Sequence, residues 1–312
     1  MNSLAVINHN ETNLQERFAS LFDRWIAFFD GKQKTIETYA RNIKPFIAFL
    51  LNNGINKPQR EDIIKYREFI RAGHKATTVN AYLMAVKQFF NWTEQVGSYP
   101  NVASKVKAEK IDEEFKKDYL TKNQAAALLS NIDTSTLKGL RDYAILSLMV
   151  TTGLRTIEIA RANIEDLRPA GDDMALYIQG KGHSERSQYV KVAAPVEKAI
   201  RAYLKARGGQ LEAAAPLFAS IANRNSGERM TTRSISRIAK DNLINADLIS
   251  SRLTAHSLRH TAGTLNLLSG GSIEETQQLL RHKNINTTMI YVHAIERAKN
   301  NSESRIAGAI FG

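Results

Sequence analysis

The 312-residue chain has no cysteine. That excludes disulfide bonds, thiolate-ligated zinc and a cysteine nucleophile, and it suits a reducing compartment. Acidic residues are scarce beside basic ones, 31 Asp and Glu against 43 Lys and Arg, which leaves a net charge of +12. Such an excess fits a polyanionic partner bound through counterion release, or simply a basic protein. Proline and glycine are too few, at 6 and 17, for a collagen-like or low-complexity chain. No apolar run approaches the roughly 18 residues of a membrane span. The longest, around Tyr143–Val150, lies beside Arg141 and Asp142, and the opening MNSLAVINHNETNLQERF is too polar for a signal peptide. Together these absences predict a cytoplasmic protein.

What is present is globular in proportion, with 43% hydrophobic and 24% charged residues, and the length predicts two domains. Residues 1–100 read as four helices. The first carries Leu14, Phe18, Leu21, Phe22, Trp25, Ile26 and Phe29 at helical spacing. The second carries Tyr39 to Leu50 and includes Pro45, which predicts a kink or a split. The third covers Ile63–Ile70, and the fourth starts at Thr77 or Thr78 as N-cap. Residues 101–118 mix lysines with acidic residues and predict a solvated, extended linker.

Residues 119–293 read as a second domain. Helices are expected over Gln124–Leu129, Leu137–Thr152, Arg155–Ala162, Pro195–Ala206, Thr232–Ala246, His256–Ser269 and Ile273–Arg281. Two strands, Met174–Ile178 and Gln188–Val192, flank a polar turn at Gly180–Ser187. Residues 294–312 form a polar tail ending in Ile306, Ala307, Ala309, Ile310 and Phe311.

Four segments carry candidate chemistry. His256, Arg259 and His260 lie at i, i+3 and i+4, so on a helix they share a face. Three potential cations there repel one another unless an anion intervenes, and arginine suits a phosphate. Zinc is the alternative, but Ser257 stands where a zincin needs glutamate. Arg155 follows an apolar helix and a glycine, close to the core, where an unpaired guanidinium is costly. It pairs with Glu158 or with a ligand. Lys181, between Gly180 and Gly182, sits on a turn tip, either solvated or free to swing towards a substrate. Tyr291 lies nine residues after His282, and taken alone it is an ordinary core aromatic.

The order of these residues resembles the tyrosine recombinases, the phage integrase and Xer group. Thr152-Gly153-Leu154-Arg155 with Glu158 matches the family's first box, and His256-Ser257-Leu258-Arg259-His260-Thr261 its second. Leu280-Arg281-His282 and Thr288–Tyr291 match the third, except that Arg281 stands where the family has glycine. After Lys181 the pattern is matched only in part, by Gly182 and Arg186.

The resemblance implies a mainly α fold with a small antiparallel β-sheet, an all-α core-binding domain and an α+β catalytic domain. It implies site-specific recombination without metal or nucleotide. Tyr291 would form a 3′-phosphotyrosyl bond, Arg155 and Arg259 would clamp the phosphate, and His282 would donate a hydrogen bond. His256 would handle the phenol proton and Lys181 would protonate the leaving 5′-oxygen, with Glu158 and His260 in support. Expected partners are double-stranded DNA, three further copies of the chain around a Holliday junction, and accessory proteins. The tail would dock on a neighbouring protomer. So little chain precedes Leu14 that no arm-binding domain is expected there, which favours the simpler Xer-like kind. The rivals are a type IB topoisomerase and a DNA-binding protein that has lost catalysis.

Overall fold

Apolar residues spaced three and four apart fold the N-terminal third into helices. The computed structural model describes residues 9–111, 118–179, 186–209 and 211–312. The chain divides into two units, Met1–Glu113 and Glu114–Gly312.

The first unit contains α1 (His9–Phe28), α2 (Gln33–Asn52), α3 (Arg60–Arg71) and α4 (Ala76–Gln95). Trp25, Ile43, Phe46, Leu50, Ile63, Tyr66, Val79 and Leu83 form its core. Aromatic edges meet faces there, Trp25 on Phe89 at 5.5 Å and Phe46 on Tyr66 at 5.0 Å. Pro45 does not split α2. Burial of Ile43, Phe46 and Leu50 on either side of it holds the helix together, and the carbonyl that loses its partner belongs to exposed Arg41. The fourth helix begins at Ala76 behind Lys75, so Thr77 and Thr78 fall inside its first turn rather than capping it.

The expected solvated linker is in part core. Ala103 and Val106 are buried with the first unit, and Asn80 exchanges two hydrogen bonds with the backbone of Glu109, at 2.9 and 2.7 Å. The lysines around them mask these two small apolar residues in the sequence.

The second unit contains α5 (Lys122–Ser130), α6 (Leu137–Thr152), α7 (Thr156–Arg161), β1 (Leu167–Ala170), β2 (Asp173–Ile178) and β3 (Gln188–Lys191). Then follow α8 (Ala194–Arg207), α9 (Thr232–Asn245), α10 (Ala255–Leu268), α11 (Ile273–Leu280), α12 (Asn286–Lys299) and α13 (Ser302–Phe311). Thr121 and Gln124 cap α5 reciprocally. The sheet is antiparallel in the order β1-β2-β3, with Leu176 facing Leu167 on one side and Val190 on the other. Strand β1 escaped the pattern because it is an edge of four residues containing Pro169, with no alternation of burial.

Helix α6 is buried along most of its length and packs on α8 and α10. Helix α10 also contacts α9, α11 and α12. Thr261 on α10 accepts a hydrogen bond from Leu120 N at 2.9 Å, fixing the entry to the unit. The polar tail past residue 293 is mostly helical. Helix α12 continues to Lys299 and α13 follows, with Ser302 partly exposed and the rest of α13 exposed. No described helix is long and apolar enough to cross a membrane.

Candidate active site

The site starts where α6 stops. Gly153 takes a left-handed conformation, φ 61°, and closes the helix by donating to Met149 O. A Cβ there would also lie 2.6 Å from Leu280 Cδ2, so both the turn and the approach of α11 require glycine. The turn delivers Arg155 to the start of α7. Its backbone N–H donates to Glu158 Oε2 at 2.8 Å and its Nη1 to Glu158 Oε1 at 2.9 Å. Glu158 is 1% exposed.

A second guanidinium shares that carboxylate. Arg281 Nη2 donates to Glu158 Oε2 at 2.9 Å, and its Nη1 to Leu279 O at 2.7 Å. Arg281 follows α11 with φ 53°, a left-handed cap that glycine usually fills. The sequence marks this residue as a departure from the family pattern but gives it no role. A non-glycine residue at positive φ is the signal that could have found it, and only coordinates give φ.

Arg259 on α10 is the third. It is 2% exposed, donates from Nη1 to Gly153 O at 2.5 Å, and from Nη2 to Leu280 O. It thereby ties α10 to the ends of α6 and α11. Burial first, then the charges of Arg155 and Arg281, push its pKa down to about 9, with Glu158 and Tyr291 opposing. The cluster thus holds three guanidinium groups for one carboxylate.

The histidines and the tyrosine border this cluster. His256 is exposed, and its ring meets that of buried His260 edge-on at 4.6 Å. His260 lies 5.3 Å from the Tyr291 ring. On the other side the His282 ring lies parallel to Tyr291, at 4° and 6.3 Å, with His282 Nδ1 2.9 Å from Thr288 Oγ1. Burial, then Arg259, Arg155 and Arg281, lower the His282 pKa to about 4, so its ring is neutral at pH 7.

Tyr291 is 1% exposed, and burial raises its pKa to about 12 although Arg259 and Arg155 pull the other way. The ring packs close to Gly263, where an added Cβ would come within 3.4 Å of Tyr291 Cζ. A cavity of about 530 Å³ opens beside Arg155, Thr156, Ser236, Lys240, His256 and Arg259; Tyr291 is not among its lining residues.

The fold therefore gathers Arg155, Glu158, His256, Arg259, His260, His282 and Tyr291 in one region. Lys181 lies outside the described residues. The zinc alternative finds no set of three ligating side chains among the described residues. Chemically, the region can receive an anion beside a protonated phenol.

Residues 118–297 match the phage integrase family and residues 22–97 the phage integrase N-terminal SAM-like domain. Tyrosine recombinase XerC of Pelobacter propionicus is 30% identical over 264 residues, covering 83% of this chain and 84% of its own. XerH site-specific recombinase bound to palindromic difH substrate, in a post-cleavage complex, matches with a TM-score of 0.70 at 18% identity, over 96% of this chain and 90% of its own. A lambda integrase tetramer bound to a Holliday junction matches with 0.67 at 18%, over 88% and 76%. At such identity the two structures speak for the fold alone.

Proposed function

The chain belongs to the phage integrase family, and from the site described above we propose that it is a site-specific DNA recombinase acting through a 3′-phosphotyrosyl intermediate. The observation that carries this reading is the excess of positive charge, buried Arg259 and Arg281 with half-buried Arg155 around Glu158, next to the tyrosine of the third motif. A DNA phosphodiester supplies the missing negative charge.

The bond from Tyr291 oxygen to phosphorus forms as the bond to the 5′-oxygen breaks. Arg155 and Arg259 stabilise the charge growing on the non-bridging oxygens. Exposed His256 takes the phenol proton, His260 supports it, and Lys181 protonates the departing oxygen. A 5′-hydroxyl from another strand then attacks the phosphotyrosine and releases Tyr291, so one ester replaces another at each step. Neutral His282 donates a hydrogen bond to the phosphate. Because Tyr291 is buried and protonated before DNA arrives, assembly on DNA has to uncover it.

Residues 1–100 form the helical core-binding domain and residues 119–293 the catalytic domain in this reading, with 101–118 joining them. The assembly is a homotetramer on two specific duplex sites, through a Holliday junction as in the lambda integrase complex, with accessory proteins where the site requires them. Exposed Ile306, Ile310 and Phe311 on α13 support docking of that helix on a neighbouring protomer. DNA as substrate and the absence of cysteine support a cytoplasmic setting.

The test is a nicked suicide duplex built on a sequence selected from random DNA by the protein. The wild type is expected to form a denaturant-resistant adduct, and Tyr291→Phe to bind the duplex without forming one. An adduct in Tyr291→Phe removes the nucleophile assignment. No adduct in the wild type leaves a binding protein, and relaxation of plasmid lacking the site leaves a topoisomerase.

A further inference from the structure

We infer that Arg281 is a positioning residue for the cleavage reaction: through the Glu158 carboxylate it fixes the guanidinium of Arg155 towards the phosphate site. The inference rests on the recombinase reading above. Glu158 Oε1 receives Arg155 Nη1, while Oε2 is shared by the Arg155 backbone N–H and Arg281 Nη2. Arg281 therefore restrains rotation of the carboxylate that holds Arg155.

The restraint matters because Arg155 is far more accessible than Arg281, with side chains 34% and 8% exposed. An exposed guanidinium held by one carboxylate keeps its direction only as well as that carboxylate does. Arg281 is itself anchored, by Nη1 on Leu279 O and Nη2 towards Gly153 O at 3.5 Å. The second anchor is the carbonyl that Arg259 also holds, so the two buried arginines are braced on one atom.

The backbone gives an independent reason. At φ 53° Arg281 occupies a conformation in which an L residue is strained and glycine is not. Its side chain has to return something that glycine cannot, and the contact with Glu158 is what it makes. Its charge also adds to that of Arg155 and Arg259 where the phosphate is to bind, and after burial the three together lower the pKa of His282.

Arg281→Gly separates this role from folding, since glycine relieves the cap and the variant should melt no lower than wild type. On the nicked duplex, binding should stay within about twofold while the cleavage rate at saturating duplex falls about tenfold. Arg281→Lys should fall between the two. In a Glu158→Gln background, Arg281→Gly should cost less than about twofold further, because the route through Glu158 is already cut.

Full-rate cleavage by Arg281→Gly, or full additivity with Glu158→Gln, overturns the inference. A readout independent of cleavage is the Arg155 Nε–H signal in a nitrogen-edited NMR spectrum of the full chain. It should exchange faster with water in Arg281→Gly, and an unchanged signal also overturns the inference. Failure of the wild type to form an adduct strikes the recombinase reading instead, and leaves this NMR test standing.

Discussion

The two ends of α6 use buried arginine in opposite ways. Near its start, Arg141 is 5% exposed and has a buried carboxylate of its own, Asp142 Oδ1 at 2.9 and 2.7 Å, while the second cation on that carboxylate, Lys138 at 3.4 Å, stays in solvent. Beyond its end, Arg155, Arg259 and Arg281 share Glu158. The first cluster is complete as it stands. The second carries a surplus that adds to burial in depressing the pKa of Arg259 and of His282, and it lies beside a cavity. Burial alone does not mark a functional arginine; uncompensated burial does.

The strongest way to break this contrast is to remove one arginine from each end. Arg259→Ala should lower cleavage of the nicked duplex at saturating DNA on the order of a thousandfold, the size of losing a main charge-stabilising donor. It also leaves the carbonyls of Gly153 and Leu280 without that partner, so cleavage must be counted per folded molecule. Arg141→Ala should leave that rate unchanged yet destabilise the fold by about 3 kcal/mol, measured by denaturant unfolding, because buried Asp142 keeps only the surface Lys138 as partner. A catalytic defect in the folded Arg141 variant would erase the distinction.

A smaller effect is expected from pH. His282 protonates near pH 4 in the fold against an ordinary 6.5, so between those values the unfolded chain binds the extra proton. Stability should be full above pH 6.5 and fall towards pH 4, by on the order of 2 kcal/mol after allowance for partial exposure. Denaturant curves across that range should flatten in His282→Gln; the same slope in both proteins would place the titration elsewhere. Smallest is a response to orthovanadate or phosphate. An anion at tenfold its Kd should stabilise the wild type and Arg141→Ala by about 1.4 kcal/mol. In Arg155→Ala the thermal shift should vanish, and a shift that persists would move the anion away from this cluster.

How much was legible depended on whether a feature is local. The helix cores showed through their spacing, as over Gln124–Leu129 and Leu137–Thr152. The pairing of Arg155 with Glu158 stood as one of two options, since residues three apart on a helix meet. Features that depend on distant chain did not show. The persistence of α2 through Pro45 follows from burial on both sides of it, and the burial of Ala103 and Val106 from joining the core of the first unit. Thr288 is fully buried against His282 once α12 packs.

Residue type and order along the chain determined the family and a division into two parts, because each motif is short and its spacing is set by one turn or one helix. Tertiary structure alone decided that Arg281 reaches Glu158 across 123 positions of chain, and that the Tyr291 phenol is buried between two histidines. Charge balance and solvent exclusion are sums over everything packed nearby, and no single segment contains them.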